Sequence, residues 1–314
     1  MDLQENTTAN TTAMSLAADE PRPESVIVPA IFAFIFCLGV FGNALVIAVL
    51  LRTGKEMQNT TNVFILNLSI ADLFFIIFCV PFQATVYSLP EWVFGLFMCK
   101  FVHFCQCTTM LASIFNLVAM AIDRYLAVVH PVTSMDIRKP QSAWLAELVV
   151  WILAMGTASP YLVYYDIVNH GAKSEQEFCI EVWEEIENQR PVYIAFQFTF
   201  GYVLPLMIIT ICYCLVIKRL NATSKRSQAN RAKKRITKML IVVVVVFGIC
   251  WLPHHIMHLW VNFGEFPYTM TTYVLKLFSH CMAYANSCLN PIIYAFLSTE
   301  FRKAVGELAC HKRG

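Results

Sequence analysis

The chain alternates between long apolar runs and short polar connections. Seven runs reach the length of about 20 residues that a helix needs to cross a bilayer: 26–51, 61–88, 98–129, 142–165, 191–218, 236–262 and 270–297. Only the connections 166–190 and 219–235 are long. The pattern predicts an all-α membrane protein, a seven-transmembrane helix bundle over residues 26–298, without an internal repeat or a second domain.

Composition supports this assignment. Of 314 residues, 58% are hydrophobic and 14% are charged, against about 45–50% and about 25% in a soluble domain. After the last run, Phe301, Val305 and Leu308 share one helical face, which predicts a short amphipathic helix along the inner leaflet within residues 299–314. Cys310 follows it and is a palmitoylation candidate.

Basic residues predict the orientation of the bundle, because Lys and Arg concentrate on the cytoplasmic side. Residues 218–238 contain nine basic residues and no acidic one. Loop 166–190 is mainly acidic, and the amino-terminal tail, residues 1–25, is net acidic too. The amino terminus is therefore expected outside the cell and the carboxyl terminus inside.

The outer surface has two predicted modifications. Asn6 and Asn10 each begin an Asn-Thr-Thr sequence, an acceptor for N-glycosylation on an extracellular tail. Cys99 and Cys179 are the only cysteines expected on the oxidising side. A bond between them would hold the acidic loop over the mouth of the bundle; the alternative is two free thiols.

Five short motifs follow one another along the predicted helices. They are GN at 42–43, LSIAD at 68–72, AIDRYLAVVHP at 121–131, CWLP at 250–253 and NPIIY at 290–294. Ionisable groups inside a membrane are costly, so each is a candidate functional residue. Together the motifs closely resemble those of the rhodopsin-like (class A) G-protein-coupled receptors, over about residues 26–309. The resemblance implies a plasma-membrane receptor.

Longer stretches resemble one group within that family. Galanin receptors are similar at NTTNVFILNLSIADLFFIIFCVPFQATVY (59–87), WLPHHIMHLW (251–260) and SHCMAYANSCLNPIIYAFLS (279–298). The allatostatin-A receptors of invertebrates are similar at LPEWVFG (89–95) and DRYLAVVHPVTSM (123–135). The resemblance implies a galanin-like or allatostatin-A-like neuropeptide as ligand, with spexin-like or kisspeptin-like peptides as alternatives.

The resemblance also implies intracellular partners and the residues that serve them. The partners are a heterotrimeric G protein of the inhibitory Gi/o type, arrestin, receptor kinases and membrane lipids. Asp123 would hold Arg124 at rest, and activation would free Arg124. Run 231–238 lacks the acid that many members use as a second restraint on this Arg, which predicts a higher basal activity. The implied coupling and activation residues are Asp123, Arg124, Tyr125, Tyr213, Asn290, Pro291, Tyr294, Trp251, Phe247, Pro205 and Ile114.

The family pattern implies a sodium ion as an allosteric ligand. Asp72 lies in the middle of the second run, and the implied partners are Ser113, Asn286, Ser287 and Asn290. A cation would offset the cost of burying the carboxylate. The alternative is an Asp72 that burial keeps protonated. No organic cofactor is implied.

The sixth run carries three histidines on one face. At 100° per residue, Trp251, His254, His255 and His258 fall within about one 100° sector, which should face the interior. A peptide-binding wall, in which His255 and His258 matter most and His254 meets the fifth helix, competes with plain packing and with an i, i+4 metal pair. The implied ligand-binding residues are Gln83, Tyr87, His103, Gln106, His255, His258, Tyr273, Lys276 and His280.

Other function classes fit the sequence less well. Gln106 and Tyr284 occupy the positions where the family's amine receptors and opsins have Asp and the retinal Lys. Nothing resembles a nucleophile–base pair, a phosphate loop or a metalloprotease helix, so the chain is not expected to be an enzyme. The basic run 218–238 fits membrane and G-protein contact better than nucleic acid. A transporter or channel would favour broken helices with charged midplane residues, or an inverted repeat. In this sequence only Asp72 lies at a midplane position, and there is no repeat.

Overall fold

The structure is a computed structural model that describes residues 23–52, 59–169, 176–183, 189–222 and 228–310. Side chains are described over slightly shorter ranges, which exclude that of Cys310. The predicted glycosylation sites Asn6 and Asn10 and the predicted palmitoylation of Cys310 therefore lie outside what the structure describes.

Helices make up most of the described chain. They are α1 (Pro23–Arg52), α2 (Thr60–Ser88), α3 (Gly95–Val129), α4 (Pro140–Ala158), α5 (Pro160–Tyr164), α6 (Gln189–Phe198), α7 (Leu204–Ala222), α8 (Gln228–Phe263), α9 (Met270–Leu297) and α10 (Thr299–Cys310). A π-helical segment, Thr199–Val203, joins α6 to α7. Helices α4 and α5 together form the fourth span, and α6, the π segment and α7 form the fifth.

Six of the spans are long and apolar enough to cross a membrane by composition alone. The seventh, α9, is 28 residues long but richer in polar residues. Several of these face the bundle rather than lipid, because Ser279, Asn286, Ser287 and Asn290 are all buried. Asn290 and its neighbours therefore lower the hydropathy of α9 without preventing it from lying among the other six helices.

Two connections differ from the sequence-based expectation. No strand was predicted for loop 166–190, but strands β1 (Tyr165–Asn169) and β2 (Glu177–Glu181) pair antiparallel there. Helix α8 begins at Gln228, eight residues before the predicted sixth run. Gln, Ala, Arg and Lys have high helix propensity, so the basic segment continues the helix beyond its apolar part.

The fifth span changes its winding just before Pro205. Proline has no N–H and cannot bond the carbonyl one turn earlier, and π turns often occur where the regular ladder is interrupted. The Tyr202 hydroxyl donates to the Gly248 carbonyl at 2.7 Å. This bond fixes the π segment against α8.

Close packing joins α1 to α9 and α2. A Cβ added to Gly39 would meet the side chains of Ile76 and Cys288, which would have to shift to accommodate it. Asn43 donates through Nδ2 to the Ser287 carbonyl at 2.8 Å and to the Gly39 carbonyl at 2.9 Å. The GN motif of the sequence therefore connects the first and seventh spans.

One buried acid was missed by sequence reasoning. Glu147 of α4 is 2% exposed. Both of its carboxyl oxygens lack a hydrogen-bond partner among the described residues. A polar group buried without partners carries a desolvation cost of about 1–3 kcal/mol.

Replacing Glu147 by Met should therefore stabilise the protein. Met has a similar length and needs no partner, so we expect the free energy of unfolding to rise by about 1–3 kcal/mol. Each kcal/mol should raise the thermal midpoint of the purified protein by about 2–4 °C. Glu147→Gln is the control that keeps a polar side chain. A lower midpoint for the Met variant would mean that the carboxyl makes a stabilising hydrogen bond.

Candidate functional site

A disulfide holds the β-hairpin over one end of the bundle, called the disulfide end below. Cys99 at the start of α3 is bonded to Cys179 of β2, with 5.6 Å between their Cα atoms, which confirms the predicted pair. The Trp92 amide also donates to the Glu177 carbonyl at 2.7 Å. The hairpin is thus tied both to α3 and to the loop that precedes it.

Glu181, the last residue of β2, organises the inner side of the hairpin. It accepts from Arg190 Nε at 2.8 Å, Tyr165 Oη at 3.0 Å and Trp183 Nε1 at 3.2 Å. Burial tends to raise the pKa of Glu181, but the charges of His258 and Arg190 and the hydrogen bonds outweigh it and hold the pKa below its ordinary value. The carboxylate therefore remains ionised at physiological pH.

Tyr165 connects Glu181 to the bundle. Its ring stacks on that of His103, with 3.8 Å between centroids. Burial, followed by the nearby carboxylate of Glu181, raises the pKa of Tyr165 well above its ordinary value, so its hydroxyl remains a donor. His103 in turn bonds the Cys99 carbonyl through Nδ1 at 2.8 Å.

Beneath the hairpin lies a cavity of about 570 Å³, within the usual range for ligand sites. Six of the nine implied ligand-binding residues line it: Gln83, His103, Gln106, His258, Lys276 and His280. Residues that the sequence did not indicate as ligand-binding also line it, among them Glu91, Tyr161, Tyr165, Glu181, Arg190, Gln197, Trp251 and His254. Glu181 could have been predicted as a lining residue, because it lies two residues after Cys179 and the bond of Cys179 to Cys99 holds this segment over the bundle.

The expected positions of two α8 histidines are wrong. His255 packs against the fifth span, 5.6 Å from Phe198 and 4.6 Å from Tyr202 between ring centroids. His254 instead lines the cavity, 4.5 Å from His258 and 5.5 Å from His280. Adjacent residues of a helix point 100° apart, so His254 and His255 face different neighbours. His254 was expected to meet the fifth span and His255 the cavity, and the structure shows the reverse.

Tyr87 and Tyr273 lie beside the cavity rather than in its lining. Their rings are 5.9 Å apart, and Tyr87 also contacts Phe32 at 6.0 Å and His280 at 6.0 Å. The buried Tyr87 hydroxyl and His280 Nδ1 have no hydrogen-bond partner among the described residues. This aromatic group supports one wall of the cavity from behind.

The described lining is balanced in charge. Glu91 and Glu181 are its acids, and Arg190 and Lys276 are its bases. Arg190 and Glu181 form an ion pair. Among the described residues of the acidic loop, Glu181 is the acid that reaches this lining, so aromatic and neutral polar groups make up most of its contact surface.

Below the cavity, aromatic rings fill the centre of the bundle. Trp251 lies 5.8 Å from Phe75 and 6.0 Å from Phe247 between ring centroids. Ile114, Pro205 and Phe247 are all buried. The structure therefore places the implied connector residues in the core between the two ends of the bundle.

Further along, Asp72 lies in a buried polar cluster. Its carboxylate accepts from Ser287 Oγ at 2.8 Å and from Asn290 Nδ2 at 2.7 Å. Ser113 and Asn286 are buried as well. The side-chain carbonyl oxygens of Asn286 and Asn290 have no donor among the described residues. Carboxylate, carbonyl and hydroxyl oxygens suit a hard cation, so the residue types here fit sodium.

At the opposite end, called the Arg124 end below, Asp123 and Arg124 form a buried ion pair of 3.1 Å. Tyr213 and Tyr294 are buried, and their hydroxyls have no partner among the described residues. Tyr125 instead bonds His130 at 3.0 Å. On α8, Arg235 donates to the Leu297 carbonyl at 3.0 Å, which connects the sixth span to the end of the seventh without an acidic side chain.

Comparison with known proteins decides the family. Residues 42–294 match the seven-transmembrane receptor (rhodopsin family) model. The chain belongs to this family. It is therefore a multi-pass plasma-membrane receptor and not an enzyme, and the disulfide end and the Arg124 end are the two ends of a rhodopsin-family bundle.

Its relatives within the rhodopsin family include galanin receptors. Galanin receptor 2b of Danio rerio is 52% identical over 286 residues, covering 90% of this chain and 74% of the relative. Human galanin receptor type 1 is 48% identical over 309 residues, covering 94% and 87%. Human galanin receptor type 2 is 45% identical over 286 residues, covering 90% and 72%. The similarity thus extends across the whole bundle.

Proposed function

We propose that this receptor binds a galanin-like neuropeptide at its disulfide end and activates a heterotrimeric G protein of the Gi/o type at its Arg124 end. The amino terminus then lies outside the cell. The observation that carries the proposal is the 52% and 48% identity to galanin receptors over at least nine-tenths of the chain.

The cavity supports a peptide ligand. Its lining mixes aromatic rings with convergent polar groups, including Gln106, His258 and Lys276. Such a surface suits backbone amides and aromatic side chains of a peptide. Its balanced charge favours recognition by hydrogen bonding and packing over simple attraction of a basic peptide.

A peptide panel tests the ligand. Cells that express the receptor are exposed to galanin, spexin, kisspeptin and allatostatin-A peptides, and inhibition of cyclic AMP formation is measured with and without pertussis toxin, which blocks Gi/o. We expect galanin to be the most potent agonist and the toxin to abolish its response. A stronger response to allatostatin-A or another peptide would refute the ligand, and a toxin-resistant response would refute the coupling.

Sodium is proposed as an allosteric ligand that favours the resting state, held by Asp72, Ser113, Asn286, Ser287 and Asn290. Support comes from the oxygen-rich, buried surroundings of Asp72 and from the unpaired carbonyl oxygens beside it. A cation would satisfy those oxygens and neutralise the buried carboxylate, whose isolation is otherwise costly. An Asp72 that is permanently protonated is the competing state.

Galanin affinity should therefore fall when sodium replaces N-methylglucamine at constant ionic strength. A coupling of 1–3 kcal/mol corresponds to a change of about 5–150-fold. Asp72→Asn, which keeps the shape but removes the charge, should abolish the sodium response in competition binding. Glu147→Gln is the matched control, because it also neutralises a buried acid but lies outside the proposed sodium site. It should retain the sodium response of galanin affinity. A wild type without sodium dependence would instead favour the protonated Asp72.

The remaining proposals concern the periphery. Asn6 and Asn10 carry glycans, α10 lies on the inner leaflet with palmitate on Cys310, and arrestin and receptor kinases act at the Arg124 end. The support for α10 is its spacing, since Ala304 is buried while Arg302, Lys303 and Glu307 are exposed. A helix with one apolar face and one charged face suits a membrane interface.

A further inference from the structure

The carboxylate of Asp123 accepts hydrogen bonds from Thr60 and Arg138 as well as from its neighbour Arg124. Thr60 Oγ1 donates to Oδ1 at 2.8 Å, and Arg138 Nε donates to the same oxygen at 2.9 Å. Arg138 Nη2 and Arg124 Nη2 both reach Oδ2, at 3.3 and 3.1 Å. A carboxylate offers about four acceptor positions, so these contacts saturate Asp123.

The loop between α3 and α4 brings Arg138 to this position. Ser134 is buried and anchors the loop, with its amide on the His130 carbonyl and its hydroxyl on the Leu126 carbonyl, both at 3.1 Å. The Arg138 amide then donates to the Ser134 carbonyl at 2.9 Å. A series of turns thus returns the chain so that Arg138 lies against the end of α3.

Arg124 is held less completely than Arg138. Arg138 makes two charge-assisted bonds to Asp123 and a further contact of 3.4 Å to Thr60. Arg124 makes one bond to Asp123, and its buried Nε has no partner among the described residues. The two guanidinium groups also repel each other. The single negative charge of the Asp123 carboxylate is divided between them, so each is held less strongly than it would be alone.

We propose that Arg138 is a positioning residue that competes with Arg124 for Asp123 and so sets how easily Arg124 is released to the G protein. This inference rests on the proposed function. Arg138 weakens the resting Asp123–Arg124 pair without contacting the G protein itself. Because α8 supplies no acid to restrain Arg124, the strength of this one pair determines the basal activity.

Removal of Arg138 should therefore strengthen the restraint. In Arg138→Met, Arg124 is the one cation left on the Asp123 carboxylate among the described residues, and the repulsion is gone. We expect basal G-protein activation and galanin potency to fall by about fivefold or more, the lower end of typical coupling between sites. Lys139→Met is the matched control, because it removes a charge one residue away that forms no ion pair with Asp123. It should leave both quantities unchanged.

A double-variant cycle separates this mechanism from direct contact with the G protein. Asp123→Asn should raise basal activation, and Arg138→Met added to it should have no further effect, because Arg138 acts only through the carboxylate. If Arg138→Met lowers activation equally in both backgrounds, Arg138 contacts the G protein and the proposal is wrong. Higher basal activation in Arg138→Met alone would show that Arg138 restrains rather than competes, and would also overturn it.

Thermal unfolding of the purified receptor gives a readout that needs no G protein. Arg138→Met should lower the midpoint by about 2–4 °C, corresponding to roughly 1 kcal/mol, in the wild-type background and leave it unchanged in the Asp123→Asn background. Additive shifts would refute the Arg138–Asp123 interaction. A wild-type receptor that activates no G protein would refute the proposed function, whatever the unfolding cycle shows.

Discussion

Replacing Cys99 and Cys179 together by Ala is expected to abolish high-affinity galanin binding and to lower the free energy of unfolding by about 2–4 kcal/mol. The bond closes a loop of 80 residues, for which chain entropy alone predicts a contribution near or above the upper end of that range. The membrane already restricts α3 and α4 in the unfolded state, so the measured value should fall below that maximum.

Binding should suffer more than stability, because the hairpin supplies part of the cavity. Without the bond, Tyr165 loses its fixed stacking on His103, and Glu181 no longer holds Arg190 at the rim. Radioligand saturation binding and thermal unfolding measure the two effects. Cys37→Ala, which removes an exposed free thiol of α1, is the control. Unchanged affinity in the double Ala variant would mean that the hairpin takes no part in binding.

Helix positions were predictable because a run of 20 apolar residues has few alternatives in a chain of this composition. The second and seventh predicted runs, 61–88 and 270–297, nearly coincide with α2 and α9. The hairpin was not predictable, because two isolated strands are marginally stable by themselves. Here the Cys99–Cys179 bond and packing on the bundle stabilise them, and both are tertiary effects.

The site shows the same division between local and tertiary information. Periodicity placed Trp251 and the three histidines on one inward face, and the structure confirms this, since Trp251, His254 and His255 are buried and His258 lines the cavity. It did not determine which edge of that face meets which neighbour, because a helical wheel contains no other helix. The sequence did not indicate a role for Arg138, because its contact with Asp123 depends on the turns that fold the loop back.

The α8 histidines provide the second large expected effect. His258→Ala and His254→Ala should each weaken galanin binding by about 5–150-fold, since each loses a hydrogen bond worth about 1–3 kcal/mol once the peptide desolvates it. Both rings line the cavity, and the buried His254 Nδ1 has no partner among the described residues. A bound peptide would provide that partner. Competition binding, with surface expression measured alongside, tests the pair.

His255 should behave differently, because its ring fills space between α8 and the fifth span. His255→Ala is expected to lower the free energy of unfolding by about 2–5 kcal/mol, the range for truncating a large buried side chain to Ala. His255→Phe restores the ring against Phe198 and Tyr202 and should recover both the thermal midpoint and the affinity. If His255→Phe unfolds like wild type but loses binding, while His254→Ala binds normally, then His255 and not His254 contacts the peptide, and the α8 face must rotate by about one residue when the ligand binds.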